Sequence, residues 1–278
     1  MLPADRHVHT EWSWDAPTGS MERTCARAVE LGLRSVAFTD HADFTEWTVL
    51  TDPANLPAHL RNQVTDGILT APLLDLDGYR ECLQRCREQF PDLKILSGVE
   101  LSEPHWLPGQ NADLLDRGAF DLVICGLHSM RHGPAAVIEV SEAYRDRPGA
   151  DVMRDYLREA ARMIGAWDGF EVLAHIDYPV RTWPGRGRAF SPQDFEDEYR
   201  VVLRALASSG RVLEVNTTVP LHCSIVQWWR QEGGTAVSFG SDAHDPLVLA
   251  RGFTDAAALV EACGFRPGQH RHDFWTRT

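Results

Sequence analysis

Lysine is all but missing from this chain: of its 27 basic residues only Lys94 is a lysine, the rest being arginines. Paired cysteines are missing too. The six cysteines, at 25, 82, 86, 125, 223 and 263, form no C-x-x-C pair, and Cys82 and Cys86, four apart, share a helix face. That spacing suits neither a disulfide framework nor a zinc knuckle, so the thiols read as reduced and mostly buried in a cytoplasmic protein. No apolar signal core follows the first methionine, and no run reaches the length of a membrane span, so no membrane partner is expected. Positive charge in excess is absent as well. A net charge of −13 over 278 residues, with no basic stripe, argues against a nucleic-acid polymer as partner. Bound cations would offset part of that acidity.

What is present is an ordinary globular composition, 44% hydrophobic and 24% charged, in a chain long enough for one α/β barrel or two small domains. Short apolar runs alternate with amphipathic stretches. Strands are expected at 34–39, 94–101, 121–127, 170–174, 211–216 and 235–240, with a very short first strand ending at 6–8. Helices are expected at 20–31, 77–90, 152–165, 192–209, 224–232 and about 255–263. Alternating strands and helices imply a parallel sheet, and seven strands suit an α/β barrel of the TIM kind. No linker divides the chain, so residues 1–278 are expected to form a single domain. Two irregular segments, 42–76 and 129–150, read as insertions after strands, placed to overhang an active-site face.

The twelve histidines fall where such a barrel would use them. His7 and His9 follow the first strand; His41, His128 and His175 each end a later one; Glu100 lies near the end of KILSGVE; Asp242 and His244 follow TAVSFG. In a parallel barrel these ends converge on one face. His7 and His9, two apart, point to one side of an extended chain, as do Asp242 and His244. Asp15, in the loop after His9, is a plausible further ligand, with a surface or helix-capping role equally open. That makes nine candidate metal ligands: His7, His9, Asp15, His41, Glu100, His128, His175, Asp242 and His244. A single zinc takes about four ligands, so two or three divalent ions sharing a bridging carboxylate fit better. Zinc, manganese and iron all accept such mixed donors. The remaining histidines, at 59, 105, 132, 222, 270 and 272, lie off the strand ends and read as structural or surface residues, with His132 and His222 nearest to substrate contacts.

An H-x-H on the first strand and an Asp near the last also describe the amidohydrolase superfamily. Many of its members bridge two metals with a carboxylated lysine. Here the sole lysine, Lys94, precedes its strand and falls at the far end of the barrel from the ligands. An amidohydrolase with one metal stays open but leaves Asp40-His41 and Glu100 unexplained.

Taken in order, H-V-H-T, T-D-H, G-V-E, G-L-H-S, A-H-I-D and G-S-D-A-H, from residue 7 to 244, resemble the PHP (polymerase and histidinol phosphatase) family. The resemblance implies a distorted (β/α)₇ TIM-like barrel with a trinuclear metal centre. One ion would be held by His7, His9, Glu100 and Asp242, a second by Glu100, His128 and His175, and a third by Asp15, His41 and His244. Asp40 would orient a ligand. LEVNTTV (213–219) and AHIDYPVR (174–181) are similar to segments of the stand-alone histidinol-phosphate phosphatases of that family. By the same likeness Arg181 would hold substrate phosphate; Arg131, just after His128-Ser129-Met130, is a second candidate. The reaction implied is hydrolysis of a small phosphomonoester, with Asp242 or His244 supplying a proton. The alternatives are a PHP nucleotide phosphatase or phosphodiesterase and, further off, a non-catalytic PHP module. The loop at 179–190 and the insertion at 42–76, with Trp47 and His59, depart from that subfamily and point to a differently shaped pocket.

Overall fold

The computed structural model describes residues 2–185, 189–270 and 273–278; the middle of the 179–190 loop and His272 lie outside them. Among the described residues one curled sheet contains β1 (Asp5–Val8), β2 (Ser35–Ala42), β3 (Lys94–Ser102), β4 (Leu122–Gly126), β5 (Val172–Leu173), β6 (Val212–Asn216), β7 (Ala236–Gly240), β8 (Phe265–Arg266) and β9 (Trp275–Arg277). Its order is β1-β2-β3-β4-β5-β6-β7-β9-β8, and every neighbouring pair from β1 to β7 is parallel. One main helix follows each parallel strand. These are α1 (Met21–Glu30), α2 (Leu76–Gln89), α3 (Pro108–Gly118), α4 (Gly149–Ala166), α5 (Glu196–Ser208), α6 (Cys223–Gln231) and α7 (Phe253–Ala262).

Helix positions follow their apolar stripes. α1 buries Met21, Thr24, Cys25 and Ala28 in the three-and-four spacing of one face, and the Ser20 hydroxyl caps it by accepting from the Arg23 N–H. α4 begins a turn before the expected 152: Pro148 at its N-cap carries no N–H of its own, and its carbonyl accepts from the Asp151 and Val152 N–H groups. The parallel strands are buried on both faces, β2 at all eight positions. A large core packs between sheet and helices, and a smaller cluster including Ala37, Ile124, Val172 and Val212 fills the inner face.

The sheet forms an open half-barrel of the distorted TIM-like kind, and its two edges meet at one rim. There Val8 bridges Ala243 in parallel, the His9 N–H donates to the Ala243 carbonyl (2.9 Å) and the Asp242 N–H donates to the His7 carbonyl (2.8 Å). At the other end β9 pairs antiparallel with Ala236 and Val237, and the Arg6 guanidinium covers Phe274 at 4.3 Å.

The 42–76 segment folds into a small three-stranded sheet (Trp47–Thr48, Ile68–Leu69, Val64–Thr65) with a helical turn at Ala58–Arg61. The 129–150 segment is a hairpin, Ser129–His132 with Ala136–Glu139, followed by a 3₁₀ turn at Val140–Arg145. No helix among the described residues is long and apolar enough to cross a membrane. The cysteines are unpaired, five of them buried and Cys223 exposed.

Candidate metal centre

Period two along β2 places Ala37, Thr39 and His41 on one face, and the register sets His41 beside Glu100 of β3. His128 follows β4, His175 follows β5, and Asp242 and His244 follow β7. All nine expected ligands therefore gather at the rim where the sheet closes. Glu100 lies at their centre with its two oxygens divided. Oε2 is 3.0 Å from His7 Nε2 and 3.4 Å from His9 Nε2; Oε1 is 2.8 Å from His175 Nε2 and 3.4 Å from His128 Nε2. Asp242 Oδ1 stands 3.2 Å from His9 Nε2 and 3.5 Å from His7 Nε2. Asp15 Oδ2 faces His244 Nε2 at 3.1 Å and His41 Nε2 at 3.4 Å. Four sets of side chains bring donor atoms close enough to share an ion: His9, Asp15, His41 and His244; His7, His9 and Asp242; His7, Glu100 and His175; and His41, Asp43 and His128, so the cluster is positioned to coordinate divalent ions.

Hydrogen bonds on the far side of the rings decide which nitrogens face inward. The Glu214 carboxylate takes His7 Nδ1 (2.7 Å), Ser13 takes His9 Nδ1 (2.9 Å) and Ser102 takes His128 Nδ1 (2.6 Å). Ser13 in turn donates to Asp40 (2.8 Å), so Asp40 orients His9 through a hydroxyl. The inward Nε2 atoms of His7 and His9 then lie 3.0 Å apart, and those of His128 and His175 3.1 Å apart. Two lone pairs at that separation repel unless a cation or proton lies between them. Asp15 Oδ1, His41 Nδ1 and Asp43 Oδ1 are buried with no hydrogen-bond partner. Facing lone pairs, unpartnered buried atoms and a His/carboxylate donor set all fit divalent ions.

Burial opposes the charge of His7, His41, His175, Glu100 and Asp242, and their partners overrule it unequally. Glu100, Glu214 and Asp242 hold His7 well above the ordinary imidazole value; Asp15, Asp43 and Glu100 do the same for His41. Burial wins at His175, which falls to about 4 with Arg181 and His128 adding to the shift, and so stays neutral. Glu100 and Asp242 are held well below the carboxylate range, Glu100 by its histidines and Asp242 by Arg181 and His7.

Small residues at strand ends leave the room. A Cβ on Gly240 would lie 2.0 Å from Glu214 Oε1, and one on Gly126 would lie 2.5 Å from His175 Cε1 and 2.8 Å from Glu100 Oε1. Asp242 adopts a left-handed backbone (φ 54°), a conformation Asp tolerates better than most residues.

Over the centre opens a cavity of about 340 Å³, lined at its inner end by Asp15, His41, His128, Asp242, His244 and Arg181. Arg181 pairs with Asp242 Oδ2, and its guanidinium lies 4.6 Å over the Tyr178 ring. Arg131 is not brought to the centre: it is exposed, stacks on Trp106 at 4.6 Å and lines a separate cavity. His132 and His222 do not line the central cavity either; His222 caps α6 by accepting from the Ser224 N–H. His105 is held by Glu159 at 2.8 Å.

Several residues of the centre were not expected. Asp43 groups with His41 and His128 and takes the Trp14 indole N–H at 2.6 Å. Glu103, fully buried, accepts from the N–H groups of His128 (2.5 Å) and Ser129 (2.8 Å) and so fixes the loop that carries His128. Glu214 lies in the LEVNTTV segment, but its role depends on a partner 207 residues away.

The PHP domain model matches residues 5–218. The histidinol-phosphatase of Lactococcus lactis is 23% identical over 273 residues, covering 95% of this chain and 93% of that one. A Deinococcus radiodurans protein named "Probable histidinol-phosphatase" is 24% identical over 291 residues, covering 96% of each. Among solved structures, a Lactococcus lactis histidinol phosphate phosphatase complexed with zinc, L-histidinol and phosphate superposes with a TM-score of 0.77 at 22% identity, covering 95% of this chain and 94% of that one. A Listeria monocytogenes structure gives 0.70 at 20% identity, covering 91% and 99%. Motif order, barrel, ligand geometry and the domain match agree: this chain belongs to the PHP family, with that family's metal-binding hydrolase fold.

Proposed function

We propose that the chain, acting as one PHP-type domain in the cytoplasm, is a phosphomonoesterase of histidinol-phosphatase type. The observation that carries the reading is Arg181. It is a planar cation at the edge of a metal-binding cluster, in the same cavity as His128, Asp242 and His244. A phosphate needs such an arrangement: cations around several oxygens and a guanidinium to hold another by paired hydrogen bonds. The relatives named histidinol-phosphatases support it, since the match spans nearly the whole of both chains.

Divalent ions in this cluster would supply Lewis-acid charge for the phosphoryl oxygens and lower the pKa of a water for attack. The chain's own residues do the rest. Asp242 aims Arg181 through their ion pair, and Glu100, Glu214 and Ser13 fix the ring orientations. His244, one-third exposed and facing Asp15, or Asp242 would pass a proton through water to the departing alcohol oxygen. Trp14 and Trp47, with ring centroids 5.3 Å apart, help keep bulk water off the centre.

The test is a phosphatase screen on metal-reconstituted protein, comparing histidinol phosphate with nucleotides and cyclic diesters. Turnover of monoesters is expected, and no turnover of any phosphoester with metals bound would overturn the reading. Arg181→Ala should raise KM for the monoester about tenfold or more, as loss of a charge-assisted contact does. An unchanged KM removes Arg181 from the site.

A further inference from the structure

The outer part of the central cavity has a character that metal chemistry does not call for. Trp47, Val49, Leu56, Leu60 and Leu69 line it, all from the 42–76 segment. None of the five belongs to the hydrophobic clusters found among the described residues, so their apolar surface does not serve the barrel core. Trp47 and Leu69 are cross-strand partners in the small sheet, while Leu56 precedes the helical turn at Ala58–Arg61 and Leu60 lies within it. Connecting segments at a barrel mouth normally turn polar groups outward. Here one segment converges five apolar side chains on the space above the ligands.

We infer that the phosphoester cleaved here carries a bulky apolar group, alkyl or aryl, on its alcohol side, and that this wall receives it. The inference rests on the phosphomonoesterase reading above and departs from histidinol as the alcohol. A wall that only excluded water would close onto the metal centre, whereas the cavity keeps about 340 Å³ open. That falls in the range of pockets that bury a whole small ligand, well beyond a lone phosphate. Charge narrows the class further. Among the described residues Arg181 is the only basic lining residue besides the cluster histidines, and Glu139 and Glu142 line the same space. A leaving group with a second phosphate would meet those carboxylates. The step is hydrolysis: a water oxygen bonds to phosphorus, the bond from phosphorus to the alcohol oxygen breaks, and a water proton ends on that oxygen. The products are inorganic phosphate and an apolar alcohol.

The test uses the full metal-loaded chain with n-alkyl phosphates from ethyl to octyl, phenyl phosphate and glycerol phosphate. Burial of each methylene should raise kcat/KM about fourfold until the cavity is full. Octyl phosphate should exceed glycerol phosphate by more than tenfold, and phenyl phosphate, a better leaving group in itself, should lose rate relative to ethyl phosphate in the wall variant. The double variant Leu56→Asn, Leu60→Asn should flatten the chain-length slope; an undiminished slope in it overturns the assignment to this wall. A flat slope in the natural chain, with monoesters cleaved, overturns the inference and leaves the phosphatase reading standing. If no ester is cleaved, that reading fails instead, and calorimetric binding of the matching n-alkylphosphonates reads the wall directly. Affinity rising with chain length then sustains it as an apolar ligand site, and constant affinity overturns it.

Discussion

Glu214 shows what one side chain contributes at this centre. Its two oxygens do different work: Oε1 takes the His7 ring at 2.7 Å, and Oε2 accepts from the His175 backbone N–H at 2.7 Å and from Asn216 at 3.1 Å. One carboxylate thus orients two candidate ligands. An amide cannot replace it, because a Gln satisfying His7 turns its own N–H₂ toward the donors of His175 and Asn216. Glu214→Gln should therefore weaken divalent-ion binding about 10–100-fold, the usual cost of losing a group that orients a metal ligand. Competition against a chromophoric chelator measures this, and affinity equal to the natural chain would remove Glu214 from the centre. The residue also shows where sequence reading stops. H-x-H and D-x-H are local patterns with a fixed side-chain direction, so the sequence announces them. A glutamate inside an apolar strand becomes a ligand partner only when the barrel brings β6 within reach of β1. Arg131 shows the converse. Its nearness to His128 in sequence suggested a shared site, yet the hairpin carries it onto Trp106.

Elements differ in how much of them could be read in advance. β2, β3, β4, β6 and β7 are mostly apolar because both faces of a parallel strand are covered, and they lie where expected. α3 was not expected. Its stretch opens with Pro108 and Gly109, and its buried face is Asn111, Leu114 and Gly118, so its apolar stripe is too thin to detect. The β8–β9 hairpin, short and formed at the sheet's edge, gave no signal either. The 42–76 segment was legible only as an insertion. What anchors it is a relay from the Trp47 indole N–H to Ser129 Oγ (2.5 Å) and from that hydroxyl to Glu103 Oε2 (2.8 Å). Because Glu103 also holds the His128 N–H, the insertion is fastened to the loop of a candidate metal ligand. Ser129→Ala breaks the relay and leaves the buried indole N–H unpaired, a cost of about 1–3 kcal/mol. Hydrogen exchange across residues 47–69 should quicken in this variant. Exchange there no faster than in the natural chain would mean that the segment is held by other contacts.

For the molecule as a whole, the charges gathered at one rim tie stability to pH and to metal. In the metal-free chain His7 and His41 keep their protons above the usual imidazole value of 6.5. A raised folded-state value gives stability that is complete below the unfolded value and lost as pH rises through the folded one. Glu100 and Asp242, held low, give the reverse: stability present above their unfolded values and lost as pH falls through the folded ones. The chelated protein should thus be most stable at mildly acidic pH, with Tm falling toward pH 9. Bound ions need these rings without their protons, so loading strengthens over the same rise in pH and adds about 2.7 kcal/mol at a hundredfold excess over Kd. The Tm curves of chelated and metal-loaded protein should therefore diverge as pH rises. Parallel curves would show that the histidines titrate without reference to the ions.

The seam where Val8 meets Ala243 bears on how the molecule comes into being. His7 and His9 emerge from the ribosome first among the candidate ligands, and Asp242 and His244 emerge last. During most of synthesis the early histidines therefore face an unclosed edge, lacking both the carboxylate at 3.2 Å from His9 and the strand that completes the rim. The ligand sets that include Asp242 and His244 can assemble only once residue 244 is free to fold back, so they are completed later in synthesis than the set of His7, Glu100 and His175.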